Sequence, residues 1–144
     1  MDFVNGREGI VKDITRNIYL AGPIFDCDDR DVFLWRNHAS SVLEDRGWNV
    51  VDPAISEDFR GREKGIEKKI VKHDMELMET CDFMLANCGR VSHGTAMEIF
   101  HFFTRGLGRI VVVSKNPGPW LVAHSHAVVG SVDEAIDLLA GWYP

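Results

Sequence analysis

The stretch "CDFMLANCGRVSHGTAMEIFHFFTR", residues 81–105, decides the fold. "CDFMLANC" reads as a near-continuous apolar run with the length of a buried strand, and "GRVSHG" turns the chain. From about Gly94 a helix runs through "TAMEIFHFFTR" to the breakers Gly106 and Gly108, apolar almost all round and therefore expected to be central. A strand buried on both faces that passes through a short turn into a helix is one unit of a parallel sheet.

The same alternation extends to either side. Upstream, "NIYLAG" (17–22) is a strand broken by Gly22 and Pro23, and a helix follows from Asp29 to Arg46. Its apolar stripe is Val32, Trp35, Ala39, Val42 and Leu43, and Gly47 supplies the stop. "WNVVDP" (48–53) is a second strand, 54–62 a polar loop, and Glu63–Thr80 a helix striped by Ile66, Ile70, Leu77 and Met78. Downstream, "RIVVVS" (109–114) is the fourth strand and residues 126–129 a short fifth. Ser131 with Glu134 forms a capping box that opens a last helix, "VDEAIDLLAGW". The expected fold is therefore α/β: five parallel strands in order 2-1-3-4-5 within a flavodoxin- or Rossmann-like three-layer sandwich.

At 144 residues and 45% hydrophobic content, the chain suits one compact domain that buries its own core, so residues 1–144 are read as a single domain, with 1–16 an arm or short helix. Sixteen Lys plus Arg against 22 Asp plus Glu give a net charge of −6, which disfavours a nucleic acid polymer or an anionic membrane surface as partner. Cys27, Cys81 and Cys88 lack metal-site spacing and read as free thiols. No apolar run is long enough to span a bilayer, and "MDFVNGREGIVKDITRN" lacks the apolar centre of a signal peptide, so a cytoplasmic location is expected.

In such sheets ligands bind beyond the carboxyl ends of the strands, where strand order reverses. The loop at Gly22 and Pro23 and the loop "NCGRVSHGT" both leave the strand ends at that point. Ser92 to Thr95 open a helix, whose free N–H groups and dipole form an anion site, with Gly94 permitting close approach and the Ser92 and Thr95 hydroxyls adding donors. Glu98, one turn further in, sits among Met97, Ile99 and Phe102, a setting that restricts hydration and suits a carboxylate nucleophile. Asp74 interrupts the apolar stripe between Ile70 and Leu77, where an inward carboxylate needs a partner or a task. From spacing alone, two readings of these acids stand side by side: chemistry, or surface and structurally paired groups.

Three blocks add a resemblance. "IYLAGPIF" (18–25), "HDMELMETCDFMLANC" (73–88) and "SHGTAMEI" (92–99), in this order, resemble the nucleoside 2-deoxyribosyltransferase superfamily over roughly residues 17–114. That superfamily includes transferases that exchange bases and 2'-deoxynucleoside 5'-monophosphate N-hydrolases that release the base to water. The resemblance implies that Glu98 is the nucleophile forming a glycosyl ester, that Tyr19 orients it, and that Asp74 contacts the substrate near the departing base and helps protonate it. It implies a nucleoside or nucleoside 5'-monophosphate as substrate, no metal or organic cofactor, and a homo-oligomer in which the segment after the fourth strand, "KNPGPWLVAHSHA", helps complete a neighbour's pocket. Where transferases of the family present an acid to the sugar 5'-hydroxyl, this chain has Ser92, which favours a phosphate; Ser92 as a plain helix cap is the competing reading. Base exchange and a non-catalytic nucleotide-binding module remain as alternatives.

Other groups carry less. Asp26, Asp28, Asp29 and Asp31 read as charges at a helix start, while Arg30 or Arg36 is in range of a phosphate. His124 and His126 lack a third metal ligand, and His93 reads as exposed. Trp120, Trp142 and Tyr143 are candidates for a subunit interface, with core packing an equal reading for Trp120.

Overall fold

The computed structural model describes residues 2–4 and 11–143. Two short strands, β1 (Asp2–Val4) and β2 (Val11–Asp13), pair antiparallel with Phe3 opposite Lys12. They replace the short helix considered for the arm; residues 1 and 5–10 of that arm lie outside the described residues. Next come β3 (Asn17–Ala21), α1 (Asp29–Asp45), β4 (Asn49–Val51), α2 (Pro53–Ser56) and α3 (Glu67–Met78). The chain closes with β5 (Phe83–Asn87), α4 (His93–Thr104), β6 (Arg109–Val113), α5 (Pro119–Ala123), β7 (Ala127–Val129) and α6 (Val132–Trp142).

The main sheet is all parallel and ordered β4-β3-β5-β6-β7, which is 2-1-3-4-5 counted along the sheet. Its three central strands are buried on both faces, which is why they read as unbroken apolar runs. Alternation along each strand divides two cores. Ile18, Leu20, Phe83, Leu85, Val111 and Val113 pack under α1 and α6 through Ala39, Leu43, Ile136 and Leu139. Tyr19, Ala21, Met84, Ala86, Ile110 and Val112 face α3 and α4 through Met78, Ile99 and Phe102. Each fully buried aliphatic side chain contributes about 1.5–3 kcal/mol, so the layers are held chiefly by this interdigitation.

Local chemistry explains where element boundaries depart from the sequence reading. The loop expected at 54–62 begins as helix: Pro53 presets the first helical residue, and the Asp52 carboxylate accepts from Ala54 N at 3.0 Å. α3 begins at Glu67 rather than Glu63 because Gly65 sits at φ 91, outside helical space, with its N–H given to Glu67 Oε1 at 2.9 Å. The largest correction concerns α4. It is an outer-layer helix whose inward face is Thr95, Ile99 and Phe102, while Met97 is 72% and Phe100 49% exposed.

Trp120 on α5 is likewise exposed, at 74%. Trp142 and Tyr143 are half-buried: both pack against the α1/α6 core, and Tyr143 donates its hydroxyl to Ile14 O at 2.7 Å. Among the described residues no helix is long and apolar enough to cross a membrane.

Candidate active site

Strand order reverses between β3 and β5, so the loops that leave their carboxyl ends stand side by side. Arg90 joins these loops, its guanidinium donating to Asp26 O at 3.4 Å and lying 3.6 Å from Asp31. Between them opens a cleft of about 210 Å³ lined by Pro23, Cys27, Asp31, Trp35, Asn87, Gly89 and Arg90. Gly22 is buried at its root, and a Cβ there would lie 2.4 Å from the Trp35 ring, so a side chain has no room. This cleft lies on the α1 side of the strand ends, whereas Tyr19, Glu98 and Asp74 belong to the α3/α4 side of the same ends.

On that side Tyr19 projects from the middle of β3, fully buried, and its hydroxyl donates to Glu98 Oε2 from the second turn of α4. Glu98 keeps a partly accessible surface, yet protein packs closely around its carboxyl. Burial pushes its pKa up to about 8; the Tyr19 hydrogen bond and Arg36 oppose that rise, and the negative charges of Asp74 and Asp52 add to it. Burial, with Glu98 and Asp74 nearby, also raises Tyr19 well above the usual phenol range, so the hydroxyl remains a donor.

Asp74 completes the group from α3. It is half-buried and raised above the usual carboxylate range by desolvation, against a hydrogen bond from His73 Nδ1 at 3.0 Å. His73 Nε2 in turn meets Ser56 Oγ at 3.1 Å, so the end of α2 braces the imidazole that braces Asp74. Cys88, just beyond β5, is pushed up to about 11 by burial and by Glu98, which makes it an inert thiol. A reachable carboxylate with little water around it, a fixed hydroxyl donor on one oxygen and a second carboxyl nearby form a set able to attack an electrophilic carbon and protonate what leaves.

Ser92 is the N-cap of α4, and its Oγ accepts from Thr95 N at 3.2 Å and from Thr95 Oγ1 at 3.0 Å. The capping reading is therefore realised, but both bonds use Ser92 as acceptor and leave its own hydroxyl hydrogen to give. Thr95 departs from expectation: it is buried, and its hydroxyl hydrogen goes to Ser92 rather than into the crevice. Around Gly94 there is open space, consistent with close approach of a ligand, and His93 is exposed.

The remaining candidates disperse. Asp28 caps α1 through Asp31 N at 2.8 Å, and Asp29 pairs with Arg60, so the acidic run is spent on the helix start. His124 stacks on Trp120, whereas His126 Nδ1 accepts from Ile110 N at 3.0 Å and its pKa is lowered by burial. Among the described residues no three His, Cys, Asp or Glu side chains converge as metal ligands. Arg36 does not reach toward a phosphate: it is wholly buried, donating to Leu20 O at 3.2 Å, Gly22 O at 2.8 Å and Asp52 Oδ1 at 2.6 Å. Its place could have been read from helical spacing, since Arg36 shares the stripe of Val32, Ala39 and Leu43. His73, also missed, follows Ile66 and Ile70 at i+7 and i+3.

The nucleoside 2-deoxyribosyltransferase family matches residues 18–129. A relative from Thermofilum pendens, named "Putative 2'-deoxynucleoside 5'-phosphate N-hydrolase 1", is 30% identical over 90 residues. That match covers 62% of this chain and 62% of the relative, so less than two thirds of the relative's length is spanned. The 2-deoxyribosyltransferase of Bacillus psychrosaccharolyticus superposes with a TM-score of 0.68 at 20% identity, over 84% of this chain and 90% of that one. The CMP N-glycosidase of Clostridium botulinum gives 0.60 at 19% identity, over 86% and 98%. At those identities the two structures speak for the fold alone.

Proposed function

The chain belongs to the nucleoside 2-deoxyribosyltransferase family, and from that premise we propose that it cleaves the N-glycosidic bond of a nucleoside 5'-monophosphate through a covalent ester on Glu98. The observation that carries this reading is the Tyr19 hydroxyl set on the Glu98 carboxylate, in a dehydrated corner that also holds Asp74. In the proposed reactive form Glu98 is ionised and Asp74 carries a proton, the two acids titrating as a coupled pair. Glu98 Oε1 attacks the anomeric carbon as the C–N bond breaks, while the base departs with the Asp74 proton. Water then attacks the ester, gives a proton back to Asp74 and frees Glu98 with the sugar phosphate.

Ser92 supports the phosphate. Its free hydroxyl hydrogen stands at the N-terminus of a 12-residue helix, where N–H groups and dipole favour an anion, and Gly94 leaves the approach open. The name of the Thermofilum pendens relative points the same way. Base exchange is the second reading: a second base in place of water would attack the same Glu98 ester. Self-association belongs to both readings, supported by the open apolar faces of α4 and α5 at Met97, Phe100 and Trp120, and light scattering would register it.

Incubation with deoxynucleoside monophosphates and deoxynucleosides, with and without a second base, followed by chromatography of free base, separates the readings. Base release from monophosphates, lost in Glu98→Ala, is expected. Tight nucleotide binding with no base release from any substrate would identify a binding module instead, and activity unchanged in Glu98→Ala would refute the covalent mechanism.

A further inference from the structure

The ion pair behind the site is an unusual place to find two charges. Arg36 Nη1 and Asp52 Oδ1 lie 2.6 Å apart with side chains 0% and 5% exposed. Arg36 Nε and Asp52 Oδ2 find no hydrogen-bond partner among the described residues. Desolvating two charges costs several kcal/mol each, and a pair that leaves polar atoms unsatisfied is often matched or bettered in stability by apolar side chains of similar volume. Stability therefore does not account for it.

Its contacts do. Arg36 donates to Leu20 O, next to Tyr19 in β3, and to Gly22 O, just past the end of that strand. The Asp52 oxygen that receives Arg36 also accepts from Ala54 N and so starts α2. The last residue of α2, Ser56, meets His73, and His73 holds Asp74. One buried pair thus reaches both halves of the site: Tyr19 with Glu98 on one side, Asp74 on the other.

We propose that Arg36 and Asp52 are positioning residues for glycosidic-bond cleavage, fixing the end of β3 and the start of α2 so that Glu98 and Asp74 keep their mutual geometry. This rests on the roles given to those two acids above. The pair also acts electrostatically. Around Glu98 stand Tyr19 on β3, Asp74 on α3, Cys88 after β5, Arg36 on α1 and Asp52 before α2; Arg36 favours the ionised carboxylate and Asp52 opposes it.

The test is a side-chain carboxyl ¹³C NMR titration of the whole chain, with Glu98 assigned by its loss in Glu98→Gln, alongside kcat and KM. Asp52→Asn is expected to lower the Glu98 midpoint by about half to one pH unit, as one buried charge does at an effective dielectric of about 20. Arg36→Lys keeps the charge and loses the fork, so the midpoint holds while kcat falls about tenfold at nearly constant KM. The double variant Arg36→Met/Asp52→Asn removes the risk of a lone buried charge; its midpoint is expected to rise and its kcat to fall. Folded variants with wild-type midpoint and kcat overturn the proposal, as do equal shifts in Asp52→Asn and the double variant. Should the wild-type chain release no base, the proposed activity fails, and the titration midpoints still decide whether this pair acts on Glu98.

Discussion

Glu98→Gln offers the most informative perturbation, because it separates the charge of Glu98 from its shape. Glutamine keeps a carbonyl oxygen for the Tyr19 hydroxyl and nearly the same volume, but it cannot ionise. Folding raises the Glu98 pKa from 4.5 to about 8. Between those values the folded protein binds the proton more tightly than the unfolded chain, so stability falls as pH rises. This contribution is fully present below 4.5 and fully lost above about 8. At about 1.36 kcal/mol per pH unit, the loss is on the order of 4–5 kcal/mol. The glutamine variant has no such loss. Urea denaturation of both proteins at pH 5.5 and pH 9 should show the variant gaining about 3 kcal/mol on the wild type between the two conditions. The proposed reactive form holds a proton on Asp74 while Glu98 is ionised, so the wild-type kcat/KM should fall as that last proton leaves above about pH 8, while the variant stays inactive. A stability difference that does not change with pH would refute the dehydrated carboxylate, and with it the reason for assigning Glu98 the attack.

Tyr19→Phe removes the hydrogen bond that opposes the rise of the Glu98 pKa, so the falling alkaline limb of kcat/KM should move to higher pH, with a rate loss of about 10- to 100-fold in steady-state assays. Ser92→Asp places a negative charge where the phosphate is expected; KM for a monophosphate should rise tenfold or more while the matching nucleoside is spared, and equal effects on both would detach Ser92 from the 5' end. In amide hydrogen exchange, α3, with Met78 as its only buried residue among those described, should open well before β3 and β5; equal protection would contradict a loosely held Asp74.

Much of the sheet was legible because a strand buried on both faces tolerates few polar residues, which makes "NIYLAG", "CDFMLANC" and "RIVVVS" hard to read as anything else. Strand order followed from topology rather than from any single residue. α2 was missed because four residues show no period, although Asp52 before Pro53 is a start signal. Periodicity also misplaced α4: it reports that a face is apolar, and it is silent on whether the same chain covers that face, as the exposure of Met97 and Phe100 shows. In the site, Glu98 and Asp74 stood out as acids in apolar surroundings. Arg36 lay on an equally apolar stripe and was read only as a phosphate contact because arginine is expected at surfaces, where its fork usually finds partners.

The two halves of the site are held by unequal means, and the difference bears on how a substrate enters. Tyr19 is embedded in a central strand and Glu98 leans on it from a helix whose Ile99 and Phe102 are locked into the core, so this half has no freedom to adjust. Asp74 is carried by a helix with Val71 and Met75 facing solvent, and its orientation depends on His73 and Ser56 rather than on packing. On the proposed mechanism, Glu98 as nucleophile must be fixed to within fractions of an ångström, whereas Asp74 as the acid serving the departing base has to let that base in and out. Building one half on the sheet and the other on a lightly packed helix meets both demands within a single small fold. It also explains why a buried ion pair linking the end of β3 to α2 would matter, because its hydrogen bonds run from the rigid half to the yielding one.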